Sequence, residues 1–176
     1  MTEFFARLLL RLGIGRRPVR SRHNEQQRWQ ERWSDQNFEA PWMNRGISPE
    51  IVEAVASGWF PAGATALDIG CGEGEVAAWM AEHGFPSVGV DIAPAAVARA
   101  QARFNEVPGR LEFFAVDVCE GPPPDRQYRV LIDRGRFHTI QPRDYADWLE
   151  HLLACQRARC ETPTAVQGVP RRDSTG

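Results

Sequence analysis

The sequence predicts one α/β domain built on a parallel sheet with helices on both faces. Three observations carry that prediction. Short apolar runs alternate with helix-forming stretches between residues 65 and 132, in the order β-α-β-α-β with a further strand beyond. A glycine cluster follows the first of these runs at once, where a strand hands over to a helix. The chain has 176 residues, 43% hydrophobic and 25% charged, which suits a single globular core rather than a disordered or membrane-spanning chain.

The elements follow in order. Phe4, Phe5, Leu8, Leu9 and Leu12 recur at helical spacing, so residues 1–20 read as an amphipathic arm. Arg7 and Arg11 interrupt the apolar run, which falls far short of the roughly 20 residues a spanning helix needs, and no small-residue cleavage site follows. Arg16, Arg17, Arg20 and Arg22 come next, which leaves two readings of residues 4–22: a helix lying in a membrane interface, or an arm or lid over the domain with solvated arginines. Residues 21–39 predict a helix with Trp29 and Trp33 on one face, ended by Pro41. Ser48-Pro49 is a start signal for a helix over Glu50 to Ser57, and Gly58 ends it.

Residues 65–69 form the first buried strand, Glu75 to His83 a helix closed by Gly84, and Ser87 to Val90 the second strand. Ala95 to Phe104 is the next helix. Leu111 to Val116 and Tyr128 to Ile132 are the third and fourth strands. A last helix spans Arg143 to Leu153, with Tyr145, Trp148, Leu149 and Leu152 at helical spacing. Apolar periodicity then stops, so the domain is expected over 21–154 and a disordered tail over 155–176.

Composition narrows function. A formal net charge of −2 gives no general attraction to phosphates, so no nucleic-acid partner is expected. All 21 basic residues are Arg, which rules out a catalytic Lys. Cys71, Cys119, Cys155 and Cys160 form no C-x-x-C pair and no zinc-type cluster, so no metal is expected, and without a secretory signal the thiols read as reduced and the protein as cytoplasmic.

The chemistry concentrates in Asp68-Ile69-Gly70-Cys71-Gly72-Glu73-Gly74, between a strand and a helix. Its glycines permit a tight turn and close approach of a ligand, and the helix start offers free N–H donors to a carboxylate. Asp91, in Val90-Asp91-Ile92, ends the next strand, where a carboxylate can accept two ribose hydroxyls; its alternative role is to cap the helix near Pro94. A dinucleotide fingerprint fits less well: a frame from Gly70 meets Glu75 where glycine belongs, and a frame from Gly72 ends in Ala77.

Asp68-x-Gly70-x-Gly72-x-Gly74 followed by Asp91 resembles the S-adenosylmethionine (SAM) binding motif of class I methyltransferases. The resemblance implies a three-layer, Rossmann-like, doubly wound parallel sheet, here incomplete at about four strands, with N-terminal helices. It implies SAM as cofactor, with Asp68, Gly70, Cys71, Gly72, Gly74, Asp91 and Ile92 around its methionyl and sugar parts. Asp117 and Val118, after the third strand, would meet the adenine, unless Asp117 merely turns its own loop. Asp133-Arg134-Gly135-Arg136-Phe137-His138 resembles the D-x-G-x-x-H stretch of thiopurine and thiol methyltransferase-like enzymes. Asp133 would then face the reacting end of the cofactor. Trp29, Trp33, Pro41-Trp42 and Gly46 extend the similarity, although Met43 stands where that group has an acid. The two tryptophans fit core packing as well as a lid.

Methyl transfer from a sulfonium is an in-line displacement, so the expected protein contributions are orientation and exclusion of water. For a thiol or similar small-molecule acceptor a base must take the proton. His138 is the candidate, because imidazole ordinarily titrates near neutrality, and an exposed loop histidine is its bland reading. Arg134 and Arg136 could form a fork for an anionic acceptor or simply be surface charges. Complete sheets of the family have seven strands. The loss of patterning after Leu153 predicts a truncated or frameshifted chain whose fourth strand is an exposed edge, active or catalytically dead, or one whose sheet edge a partner chain covers.

Overall fold

The computed structural model describes residues 22–40, 42, 46–107, 110–121 and 127–156. The predicted arm, apart from Arg22, and the tail beyond Gln156 lie outside the described residues. Helix α1 (Arg22–Ser34) is followed by α2 (Pro49–Ala56), then β1 (Ala66–Ile69), α3 (Glu75–Glu82), β2 (Ser87–Asp91), α4 (Pro94–Arg103), β3 (Leu111–Ala115), β4 (Val130–Asp133) and α5 (Tyr145–Gln156). Two short 3-10 turns, Phe137–Thr139 and Pro142–Asp144, lead from β4 into α5.

The four strands form one parallel sheet in the order β3-β2-β1-β4. The order reverses at β1, which pairs Ile69 with Val90 on one side and with Asp133 on the other. That reversal opens a crevice at the carboxyl ends of the strands, where loops diverge to opposite faces. One face packs Ala66, Val130 and Ile132 against Val76 and Met80 of α3 and Ile51 of α2. On the same face Phe113 of β3 meets Ala77 of α3 and Val97 and Ala100 of α4. The opposite face packs Leu67, Ile69, Val88 and Val90 against Leu152 and Cys155 of α5. The central strands β1 and β2 are buried at every position, so their sequences do not alternate between core and solvent residues, whereas the outer strands β3 and β4 are buried at some positions only.

Several predicted boundaries move, each for a local reason. Helix α1 ends at Ser34 rather than near Pro41, because the Asp35 carboxylate takes the Asn37 N–H at 3.0 Å and turns the chain. Ser48 precedes α2 as expected, but its carbonyl, not its hydroxyl, serves the helix, accepting from Ile51 and Val52. Tyr128 lies outside the ladder: it is almost wholly buried and its N–H donates to the Cys155 carbonyl at 3.0 Å, so β4 begins at Val130. Helix α5 accordingly runs past Leu153 to Gln156, with Cys155 buried beneath it.

Helix α1 closes the crevice from above. Trp33 is 4% exposed and packs with Ala93 and Ala96 at the start of α4. Gln26 donates to the Ile92 carbonyl and Gln30 accepts from Ala95 N–H at 2.9 Å. At the other end Arg22 donates to Asp144 (2.9 Å), Asp147 (2.7 Å) and the Cys119 carbonyl (2.8 Å). Both carboxylates hold its charge and raise its pKa. No helix among the described residues is long and apolar enough to cross a membrane.

Candidate functional site

The turn after β1 is built from backbone geometry that side chains rarely adopt. Gly70, Gly72 and Gly74 have φ of +71°, +54° and +82°. Each is also crowded. A Cβ on Gly70 would lie 2.9 Å from Arg136 Cβ, one on Gly72 would lie 3.2 Å from the Trp33 ring, and one on Gly74 would lie 2.5 Å from Phe113. Gly70 and Cys71 N–H groups both donate to the Val90 carbonyl, at 2.8 and 3.0 Å, which pins the turn to the end of β2. Glu73 accepts from Arg99 (3.0 Å) and Arg103 (3.3 Å), tying the turn to α4 as well.

Asp91 joins the pieces. One carboxylate oxygen accepts the Gly72 N–H at 3.0 Å and the other accepts the Ala93 N–H at 2.9 Å. The glycine turn and the acid of the second strand are therefore hydrogen-bonded together, and Asp91 also holds Ala93, the residue that precedes α4. Each oxygen keeps a lone pair for a further donor. Burial pushes the Asp91 carboxyl up, opposed by the two N–H groups and the Arg136 charge.

Asp68 is buried behind the turn, held by the Ala77 N–H near the start of α3, and burial pushes it up to about 7. Asp133 turns its own loop, accepting Gly135 and Arg136 N–H groups at 2.8 Å each and Phe137 N–H at 3.1 Å. Asp117 accepts the Cys119 N–H at 3.0 Å and lies 3.7 Å from the Arg136 guanidinium. Beside it is a narrow cleft, open to solvent, walled by Ile92, Asp117, Cys119, Arg136 and Ile140 and roofed by Arg22 and Glu25 of α1.

Of the predicted site residues, Ile92 and Asp117 line this cleft; Cys71, Val118 and His138 are among those whose side chains do not. Cys71 packs its thiol with Phe113, Val97 and Ala100, and burial raises its pKa well above the ordinary thiol range, so it offers only backbone. Val118 is 2% exposed in the core on the α5 face; Cys119, whose thiol burial pushes up to about 12, takes its place in the wall. His138 is exposed in the first 3-10 turn, outside the wall that Thr139 and Ile140 contribute. The Arg22 clasp was not anticipated, and Arg136, weighed as half of a fork for an anionic acceptor, instead meets Asp117 and Thr139. The run of arginines before α1 and the Arg134-Gly135-Arg136 stretch were their only signals.

Residues 66–158, more than half of the chain, match the family model of the methyltransferase domain. The chain belongs to the class I SAM-dependent methyltransferases. Family membership decides against the dinucleotide alternative. Over 101 residues, 57% of this chain and 44% of the relative, the sequence is 31% identical to the 2-heptyl-1-hydroxyquinolin-4(1H)-one methyltransferase of Mycobacteroides abscessus. A solved structure from work on conversion of a disulfide bond into a thioacetal group during echinomycin biosynthesis superposes with a TM-score of 0.58 at 25% identity, covering 67% of this chain and 48% of that one. The TehB-like SAM-dependent methyltransferase of Corynebacterium glutamicum gives 0.54 at 19% identity, covering 76% and 65%, and shows the shared fold. This methyltransferase-domain chain thus spans less than half the length of the first two of these relatives.

Proposed function

We propose that the chain binds SAM in the cleft at the ends of β1, β2 and β3 and transfers its methyl group to a small-molecule acceptor. The observation that carries the reading is the Gly72 N–H to Asp91 contact, which brings the glycine turn and the second-strand acid together. The residues suit the ligand chemically. A sulfonium nucleoside is cationic, and Asp68, Asp91, Asp117 and Asp133 all stand at or near the carboxyl ends of parallel strands. The left-handed turn packs too closely against Arg136, Trp33 and Phe113 to tolerate a Cβ, so it presents backbone alone.

When bound, SAM supplies an activated methyl group for in-line displacement by the acceptor. In this reading Asp91 accepts the ribose hydroxyls through its free lone pairs. Gly70, Gly72 and Gly74 let the methionyl part approach the backbone, with Cys71 contributing backbone alone and buried Asp68 a negative field. Ile92 and Asp117 flank the adenine, Cys119 standing where Val118 was expected. Asp133 fixes the loop that carries Arg136 and His138, and His138 takes the proton of a thiol or hydroxyl acceptor at the cleft mouth. A thiol acceptor follows the resemblance of the Asp133-to-His138 stretch; the M. abscessus relative is named for a heteroaromatic hydroxy compound. Both are small nucleophiles that need a base.

Calorimetry with SAM, followed by a methyl-transfer assay on thiols and hydroxylated heteroaromatics, tests the proposal. Saturable SAM binding lost in Asp91→Ala and Gly72→Val, with transfer to at least one acceptor, is expected. No SAM binding by a folded chain overturns the site, and binding without transfer to any acceptor overturns the activity.

A further inference from the structure

Arg136 lines the cleft and touches the glycine turn. Its Cβ lies against Gly70, close enough that a Cβ there would come within 2.9 Å. Its guanidinium donates to Thr139 Oγ1 of its own turn at 2.6 Å and reaches the loop after β3, standing 3.7 Å from Asp117 Oδ1. Its charge also lowers the pKa of Asp91. Arg136 therefore spans from the glycine turn to the acid assigned to the adenine, with only 10% of its side chain exposed. At 3.7 Å the pair with Asp117 is a charge contact rather than a hydrogen bond, and both groups keep unused capacity.

A guanidinium in this position opposes a cationic ligand wherever it meets the sulfonium or ammonium, and among the ligand's charged groups it attracts one: the carboxylate of the methionyl moiety, which on the reading above lies by Gly70. We propose that Arg136 is the carboxylate clamp of the cofactor, held in reserve by Asp117 in the free protein. Cofactor arrival exchanges partners. Asp117 gives up the guanidinium to the methionyl carboxylate and becomes free to accept from the adenine amine. The exchange is ionic and conserves charge, and it couples the two ends of the ligand: a nucleoside without the carboxylate must break the Asp117 pair and offers nothing in return.

The inference rests on the SAM site proposed above, and two ligands separate the two. S-adenosylhomocysteine carries the carboxylate; 5'-methylthioadenosine has the same nucleoside and thioether without the amino-acid portion. Titration calorimetry of the wild-type chain and of Arg136→Gln and Arg136→Lys measures both. Expected in Arg136→Gln is about a tenfold or greater loss for S-adenosylhomocysteine, in line with losing a charge-assisted pair, with unchanged or tighter binding of methylthioadenosine. Arg136→Lys should retain part of the affinity for S-adenosylhomocysteine. Equal weakening of both ligands makes Arg136 a structural residue and overturns the clamp, as does no change in either. Failure of wild-type chain to bind either ligand overturns the cofactor site itself, and the clamp with it.

Discussion

Asp68 buries a carboxyl whose pKa stands near 7 instead of the ordinary 3.8, and its replacement by asparagine should stabilise the protein at neutral pH. The sign follows from linkage. Between pH 4 and 7 the native state holds a proton that the unfolded state has released, so this residue's contribution falls as pH rises and is fully lost above 7. At about 1.4 kcal/mol per tenfold shift, ionised Asp68 costs about 4 kcal/mol at pH 8. Asparagine keeps an oxygen for the Ala77 N–H without the charge. Urea denaturation of wild type and Asp68→Asn at several pH values reads the effect. The stability gap should widen by about 3 kcal/mol between pH 5 and pH 8 in favour of asparagine. A gap constant to within about 1 kcal/mol would refute the argument that burial, rather than the nearby charges, governs this carboxyl. The same group makes a functional prediction of opposite sign: SAM affinity should rise with pH through 7 in wild type and lose that rise in Asp68→Asn, because only ionised Asp68 attracts a sulfonium.

Gly74→Ala should lower stability by about 2–4 kcal/mol, from left-handed backbone strain and the 2.5 Å approach to Phe113, with partial recovery in Gly74→Ala/Phe113→Leu by thermal melting. Arg22→Ala strips three hydrogen bonds from α1 and leaves buried Asp144 without its main partner, so proteolysis between α1 and α2 should quicken and the melting temperature fall. Glu73→Gln should loosen the tie between the turn and α4 at a cost of about 1 kcal/mol, since the arginines it meets are partly exposed. His138→Gln should reduce turnover of acceptors that carry a dissociable proton while leaving S-adenosylhomocysteine binding unchanged in calorimetry.

What could be read in advance was whatever depends on neighbours along the chain. Apolar runs gave the strands, and the glycines gave the turn, because left-handed φ values are a local demand. Asp91 was legible because it ends a strand directly after such a turn. The features that escaped depend on partners far away in sequence. Tyr128 has strand-like character, yet its N–H goes to Cys155 and removes it from the ladder. Val118 and Cys119 are both apolar-compatible, and only the packing of α5 decides that the first goes inward and the second lines the cleft. Gly89 resembles an ordinary strand glycine, but a Cβ there would sit 2.6 Å from Phe113, the same ring that crowds Gly74. Arg136 reads equally as half of an anion fork or as a surface arginine until β4 and β3 place Asp117 beside it.

The Arg22 clasp has a consequence for how the molecule assembles. Arg22 and Asp144 are separated by 122 positions, and they join the first described helix to the 3-10 turn that leads into the last. Closing so long a loop is slow and gains nothing until the strands between have paired. During synthesis α1 emerges first and has no berth at this end until the chain has been made as far as the turn before α5. The roof of the cleft is then a late event, so a ligand that needs it meets a competent site only in the finished fold.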